Sequence, residues 1–75
     1  MAKTFGLTVK RLRKERGISQ EAFADACGIH RTYMGAIERG EKVVSIDIAM
    51  KLAVGFGLKL SGLLAEVEKA PTPGV

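Results

Sequence analysis

Apolar residues recur along this chain at the spacing of a helix rather than of a strand. Phe5, Val9 and Leu12 share one side of a first helix that we expect to begin near Phe5, with Thr4 as its N-cap, and to end near Arg16. No stretch alternates apolar and polar residues for long enough to indicate a strand. The pattern therefore predicts an all-α protein.

Glycines punctuate this pattern, because a glycine in the left-handed conformation is a common end of a helix. Four of them follow stretches of helical spacing and divide the chain into five predicted helices: Gly17, Gly28, Gly40 and Gly57. The second helix is expected behind Ser19 as N-cap and the fourth behind Ser45. The second helix is expected at Gln20–Ala26, the third at Arg31–Arg39 and the fifth at Leu60–Glu68. The apolar positions of the fourth helix include Ile48, Leu52 and Phe56, and those of the fifth are Leu60, Leu63, Leu64 and Val67.

The composition is that of one small folded domain. The 75 residues are 47% apolar and 27% charged, which is typical of a globular protein. We expect residues 1–68 to form the domain and residues 69–75, with two prolines, to be a disordered tail. A core of this size is marginal without disulfides or metal, so a homodimer is expected.

Several function classes are disfavoured by what the sequence lacks. Cys27 is the only cysteine, so no disulfide framework or zinc cluster is expected, which suits a reducing cytoplasm. No apolar run is long enough for a membrane span or a signal-peptide core. His30 is the only histidine, and no catalytic triad or phosphate-binding loop is visible. We expect a cytoplasmic protein that is not an enzyme and that needs neither cofactor nor metal.

The charge suits a polyanionic partner without requiring one. The formal net charge is +4, with a pI near 9.6. Basic residues are concentrated in the first predicted helix: Lys10, Arg11, Arg13, Lys14 and Arg16. On charge alone, a solvated basic surface explains this cluster as well as nucleic-acid binding does.

The segment from Ser19 to Gly40 has the spacing of a helix-turn-helix. Counted from Gln20, its fourth residue is apolar, its fifth is small, its ninth is glycine, and its fifteenth and eighteenth are apolar; these are Phe23, Ala24, Gly28, Met34 and Ile37. A small fifth residue lets two helices approach closely, and the glycine permits the turn between them. In a basic, all-helical chain this spacing indicates a DNA-reading motif.

At these residues the chain resembles the phage-repressor and Cro-type helix-turn-helix family, known as the XRE family. The resemblance extends over about Phe5 to Leu64 and includes LRKERGISQ, FADACGI, IERG and SIDIAMKLAVGFGLKLSGLL. The stretch HRTYMGAIERGEKVVS further resembles controller proteins of restriction-modification systems. The resemblance implies a five-helix, lambda-repressor-like DNA-binding domain whose third helix enters the major groove. It also implies a sequence-specific transcriptional regulator that binds a pseudo-palindromic operator of double-stranded DNA as a homodimer.

The same resemblance assigns base reading to four positions of the third helix, Arg31, Thr32, Gly35 and Ala36, at its start and on its exposed face. The helix dipole disfavours a cation in the first turn by roughly 0.3–1 kcal/mol, so the charge of Arg31 is expected to have a use, such as bidentate bonding to guanine. A solvated arginine remains the alternative. Because Gly35 and Ala36 offer almost no side chain, part of the specificity is expected to come from DNA shape.

Phosphate binding is expected on both sides of the third helix. The resemblance assigns it to Ser19 and Gln20 at the start of the second helix, where the helix dipole favours an anion. Position in the chain suggests the same role for Tyr33, Arg39 and Lys42. Ser19 can also serve simply as an N-cap.

Two further expectations concern the fold and its partners. The resemblance pairs Arg13 with Glu38 in a salt bridge, the alternative being that both are exposed and unpaired. Excess apolar residues in the fifth helix suggest a dimer interface at Leu60, Leu63 and Leu64. The alternative function is an antitoxin-type protein-interaction module of the same fold that also binds its own promoter. The sequence does not identify a protein partner such as a toxin or the polymerase.

Overall fold

The computed structural model describes residues 1–70, which contain five α-helices and no strand. The helices are α1 (Ala2–Glu15), α2 (Gln20–Cys27), α3 (Arg31–Glu38), α4 (Ile46–Gly55) and α5 (Leu60–Lys69). The all-α, five-helix prediction is confirmed. Residues 71–75 of the expected tail lie outside the described residues, but Lys69 still belongs to α5, so the expected start of the tail was too early.

The first helix begins three residues before its expected start. The Phe5 amide donates to the Met1 carbonyl at 2.8 Å, so the first helical turn already forms at the chain start. Thr4 is therefore not an N-cap but a buried residue within α1, whose carbonyl accepts the Thr8 hydroxyl at 2.9 Å. Met1 is the capping residue and makes no side-chain capping bond.

The other helix ends lie within one residue of their expected positions. The Ser19 hydroxyl accepts the Ala22 amide at 3.1 Å, and the Ser45 hydroxyl accepts the Ile48 amide at 3.2 Å, so both predicted serine N-caps are confirmed. Each of the four helix-ending glycines has a positive φ, between 67° and 76°. Phe56 lies just beyond α4, as its capping residue, rather than inside the helix.

The five helices enclose one core. Helix α1 packs on α3 and α5, helix α2 packs on α3 and α4, and α4 packs on α5. The largest fully buried apolar side chains come from all five helices: Val9, Phe23, Met34, Ile37, Leu52 and Leu63. The rings of Phe23 and Phe56 stack with centroids 4.3 Å apart, and the Arg16 guanidinium lies 4.9 Å from the Phe56 ring centroid. Burying each such side chain stabilises the fold by about 1.5–3 kcal/mol.

The position of Leu63 corrects the expected dimer interface. Leu63 is fully buried among the helices of its own chain, so it has no surface to offer to a second copy. The side chain of Leu60 is half-buried against the same core, whereas Leu64 is 41% exposed. Helical periodicity marks an apolar face but does not tell whether that face meets the core of one chain or another chain.

Close contact between helices depends on two glycines that the sequence did not mark. A β-carbon at Gly6 of α1 would overlap the backbone carbonyl of Ile37 in α3. A β-carbon at Gly55 of α4 would overlap the sulfur of Cys27 in α2. These two contacts bring α1 against α3 and α4 against α2, and so fix the scaffold around the α2–α3 segment.

Within residues 1–70, no single helix is long and apolar enough to cross a membrane. Helices α4 and α5 together reach the required length and apolar composition, but they are bent by 93° at the break between them.

Candidate nucleic-acid interface

A tight turn joins α2 to α3. Gly28 has φ 70° and ψ 32°, its amide donates to the Asp25 carbonyl at 3.1 Å, and the next amide, of Ile29, donates to the Ala24 carbonyl at 2.9 Å. This pair of bonds is the Schellman end of a helix, and its left-handed residue is readily formed by glycine. Ile29 is buried and Ala24 is fully buried, so the two helices meet closely at the turn.

Helix α3 begins with a side-chain cap and then presents a cation. The Nδ1 atom of His30 accepts the Thr32 amide at 3.1 Å, which assigns the single histidine a capping role. Arg31 follows in the first turn, with 68% of its side chain exposed. Its Nη1 atom lies 3.6 Å from Oε1 of Glu21, which is 67% exposed on α2. This ion pair is too long for a hydrogen bond, so within residues 1–70 the donors of Arg31 have no hydrogen-bond partner.

An open cleft of about 390 Å³ separates the start of α2 from the outer face of α3. Residues with polar side chains and one glycine line it: Gln20, Glu21, Arg31, Thr32, Gly35 and Arg39. Two of the four expected base-reading residues, Arg31 and Thr32, are exposed at this cleft.

The other two residues expected on the exposed face of α3 are buried. Ala36 is only 7% exposed and does not line the cleft. Gly35 lines the cleft but is covered: a β-carbon there would lie 3.0 Å from Nη1 of Arg39 and 3.5 Å from Oε1 of Gln20. The expected exposure was wrong because an eight-residue helix packed on both α1 and α2 has few open positions.

A second arginine at the cleft is paired more tightly than the first. The Nε and Nη2 atoms of Arg39 donate to the two carboxylate oxygens of Glu41 at 2.9 and 3.2 Å. Both side chains are exposed, Arg39 at 60% and Glu41 at 55%. The hydrogen bond from Arg39 lowers the pKa of the Glu41 carboxyl below its usual range, so Glu41 is ionised at neutral pH.

The model of a helix-turn-helix family matches residues 9–63 of the chain, which include the whole of α2, the turn and α3.

The chain belongs to the XRE-type helix-turn-helix family.

Several relatives in this family are controller proteins. The control protein C.MunI of Mycoplasma sp is 42% identical over 66 residues, which cover 87% of this chain and 89% of that protein. The control protein C.BamHI of Bacillus amyloliquefaciens is 39% identical over 61 residues, covering 80% and 75%. The crystal structure of the restriction-modification controller protein C.AhdI from Aeromonas hydrophila superposes with a TM-score of 0.78 at 35% identity and covers 83% and 94%. This helix-turn-helix protein is a DNA-binding regulator and not an enzyme.

A buried ion pair ties the helix-turn-helix to α1. The Nε and Nη2 atoms of Arg13 donate to the two oxygens of Glu38 at 2.7 and 3.0 Å, and Nη1 donates to the Ile18 carbonyl at 2.8 Å. The side chains of Arg13 and Glu38 are only 10% and 2% exposed. The ion pair that the resemblance implied is present, and bonding to Glu38 raises the pKa of the Arg13 guanidinium.

The residues expected to hold phosphates lie in different environments. Ser19 and Lys42 are exposed, whereas Tyr33 is half-buried and packs against the core. The Nε2 atom of Gln20 donates to Oε1 of Glu38 at 3.1 Å, so the buried ion pair also orients a side chain of the cleft.

Two carboxylates accompany the cleft arginines and were not predicted from the sequence. Glu41 lies between Arg39 and Lys42 in the chain, and an acidic side chain in such a basic stretch is the sequence signal that could have marked it. Glu21 has no comparable signal, because α2 contains no basic residue.

The single thiol of the helix-turn-helix fold is structural. Cys27 is 7% exposed, and burial raises the pKa of its thiol to about 11, so the sulfur is neutral and unreactive at pH 7. Among residues 1–70, no group of three His, Cys, Asp or Glu side chains is placed to bind a metal ion.

Proposed function

We propose that this chain is a sequence-specific regulator of transcription that binds a pseudo-palindromic operator as a homodimer. The observation that supports it best is Arg31, an exposed cation in the first turn of α3 that lines the cleft beside Thr32 and donates no hydrogen bond to the residues that the structure describes. A guanidinium there can donate two parallel hydrogen bonds to O6 and N7 of a guanine, and the adjacent hydroxyl can bond to a base or a phosphate.

Contacts to the phosphate backbone hold α3 in the major groove. Ser19 and the first amides of α2 lie at the positive end of that helix dipole, which favours a phosphate. Lys42 in the loop after α3 supplies an exposed positive charge on the other side. These contacts set the position of α3 on DNA without reading its sequence.

The apolar surface of α4 and α5 fits a second copy of the chain. Ile46, Met50 and Val54 recur every four residues along α4 and are 64%, 50% and 73% exposed, and Leu64 of α5 is 41% exposed. We call these four residues the apolar ridge. A two-fold dimer over this ridge buries apolar area that the small core lacks, and binding to half-sites one turn of DNA apart requires its two α3 helices to lie about 34 Å apart.

We further propose a controller role, as in a restriction-modification system. The support is the similarity to the controller proteins C.MunI and C.AhdI over most of both chains. An operator upstream of a restriction or modification gene in the source genome is the expected result, and its absence there contradicts this role alone.

One selection tests the DNA-binding proposal: the protein is mixed with random double-stranded DNA, and the bound sequences are determined. A motif with two-fold symmetry, in half-sites one helical turn apart, is expected. A bound pool without a common motif contradicts sequence-specific binding, and a single asymmetric half-site contradicts the dimer.

Sedimentation at micromolar concentration tests the dimer independently. Val54→Glu places a charge in the apolar ridge and is expected to give the 8.0 kDa monomer, whereas the wild type sediments as a dimer. Leu7→Glu is the matched control, because Leu7 is 49% exposed on α1, outside the ridge. A wild type that is monomeric contradicts the dimer and favours the antitoxin-type alternative, in which the ridge binds a different protein.

A further inference from the structure

We propose that Arg39 reads a second base pair in each half-site, over the gap that Gly35 leaves on α3, and that Glu41 holds its guanidinium in position. This inference rests on the proposed sequence-specific binding of DNA. It replaces the phosphate contact that position in the chain suggested for Arg39.

Three residues form a line along α3 and its capping residue, Arg39. Arg31, Gly35 and Arg39 are spaced by four, so they lie one above another on the same face of the helix, and all three line the cleft. Side chains of a helix lean toward its N-terminus. The guanidinium of Arg39 accordingly lies back over Gly35, one turn before its own α-carbon, in the middle of the cleft.

The Arg39 guanidinium lies close to the backbone at Gly35. A β-carbon at this position would lie 3.0 Å from Nη1 of Arg39, closer than ordinary van der Waals contact. Glycine in a helix interior costs about 0.5–1 kcal/mol relative to alanine. At Gly35 the absence of a side chain leaves room for the Arg39 guanidinium to lie close to the helix backbone. The surface at position 35 is therefore not bare, as the sequence suggested, but carries a guanidinium.

Glu41 occupies only one edge of the Arg39 guanidinium. Glu41 binds the side formed by Nε and Nη2, at 2.9 and 3.2 Å. Arginine has five N–H donors in one plane, so the end formed by Nη1 and the second Nη2 proton remains available. Two parallel donors at that end match O6 and N7 of guanine, and the fork with Glu41 fixes the plane in which they point.

The net charge of the Arg39–Glu41 pair bears on what the pair can bind. A phosphate is held by net positive charge, and the contact releases counterions from the DNA. Arg39 and Glu41 together carry no net charge, and the carboxylate would repel a phosphate placed against this guanidinium. The edge of a base pair is uncharged and polar, so it tolerates the carboxylate. Base reading therefore fits this pair better than phosphate binding does.

The test repeats the selection from random DNA with four variants beside the wild type. Arg39→Lys keeps the charge but removes the planar fork, and it is expected to lose discrimination at one G·C pair per half-site by about tenfold or more. Gly35→Leu displaces the guanidinium from the same place and is expected to lose discrimination at the same base pair. Glu41→Ala weakens the preference at that base pair alone. Arg31→Ala acts at a different base pair.

Two controls keep the outcomes distinct. Gly62→Ala in α5 also replaces a helical glycine, but its β-carbon lies 3.8 Å from Leu58 in ordinary contact, so the motif is expected to stay unchanged. Circular dichroism verifies that each variant is folded. An unchanged motif for Arg39→Lys and Gly35→Leu, with affinity reduced evenly over all sequences, overturns the inference and returns Arg39 to a phosphate contact. A wild type without any motif contradicts the proposed function itself, and the inference with it.

Discussion

Two arginine–glutamate pairs at the end of α3 have the same hydrogen-bond geometry and opposite surroundings. Arg13 and Glu38 form a two-bond fork with side chains 10% and 2% exposed, whereas the fork between Arg39 and Glu41 is 60% and 55% exposed. Glu38 and Arg39 are neighbours in the chain, yet one points into the domain and the other into the cleft. Burial, rather than the chemistry of the pair, distinguishes an ion pair that holds the fold from one that stays open to the cleft.

Breaking the buried pair of Arg13 and Glu38 destabilises the fold. Its oxygens also accept a bond from Gln20, and Arg13 also binds the Ile18 carbonyl, so the pair joins α1, α2 and α3. Water replaces these bonds poorly in the interior. The exposed pair loses little on opening, because water replaces either partner.

The largest expected effect comes from breaking the buried pair. Arg13→Ala leaves Glu38 buried without its counter-ion, and we expect the free energy of unfolding to fall by about 3–5 kcal/mol. Urea denaturation followed by circular dichroism measures this loss. If the variant proves largely unfolded without urea, the prediction is equally met, because such a loss exceeds much of the stability of a small domain.

Arg11→Ala is the matched control. Arg11 lies on the same helix and pairs with Glu15 and Glu66, but its side chain is 42% exposed. We expect it to lower the unfolding free energy by no more than about 1 kcal/mol. Equal losses for the two variants would show that burial does not separate these ion pairs.

The next effect concerns DNA rather than stability. Arg31→Ala is expected to weaken binding to the selected operator by about 1–3 kcal/mol, and binding to random DNA by much less, because it removes donors to one base pair. Lys14→Ala removes the same charge from an exposed site on α1, outside the cleft. Titration of labelled operator and random DNA by fluorescence anisotropy compares the two variants. Equal losses on both DNAs for Arg31→Ala would remove its base-reading role.

The sequence predicted those parts of the fold that local rules determine. Apolar spacing, two serine caps and the helix-ending glycines gave five helices with nearly correct bounds. The spacing from Phe23 to Ile37 identified the helix-turn-helix, because close packing of two short helices restricts residue size at fixed positions. The buried pair of Arg13 and Glu38 followed from family resemblance.

The parts that failed depend on contacts between distant residues. Periodicity placed Leu63 on an apolar face but did not distinguish the core from a dimer interface. Ala36 was expected to face DNA and is buried, since α1 and α2 together enclose most of a short α3. The closeness of Gly6 to the Ile37 carbonyl depends on tertiary packing, and no local pattern marks it.

A third prediction uses the other buried titratable group. The Cys27 thiol has a pKa of about 11 in the folded protein, against an ordinary value of 9.0. Between these values the unfolded chain loses the proton first, so stability falls as pH rises from about 9 toward 11. At pH 10 the loss is about 1 kcal/mol. Urea denaturation of wild type and Cys27→Ala over this range isolates the contribution, and parallel pH profiles would contradict it.

The smallest expected effect concerns the ion pair of Arg31 and Glu21, the longer of the two in the cleft. Glu21 lies 3.6 Å from Arg31 without a hydrogen bond, and both side chains are about two-thirds exposed. Glu21→Gln removes a negative charge beside the DNA, so binding to random sequences should tighten, by less than about fivefold, since exposed pairs contribute under about 1 kcal/mol. Preference at the base pair read by Arg31 should weaken slightly, because the guanidinium loses the carboxylate that draws it toward α2.

Glu15→Gln, which makes the same change of charge on α1 outside the cleft, should leave that preference unchanged. If both variants shift binding alike on all sequences, only net charge is involved, and Glu21 does not orient Arg31. If Glu21→Gln alone alters the motif, the pair of Glu21 and Arg31 contributes to specificity although it adds almost nothing to stability.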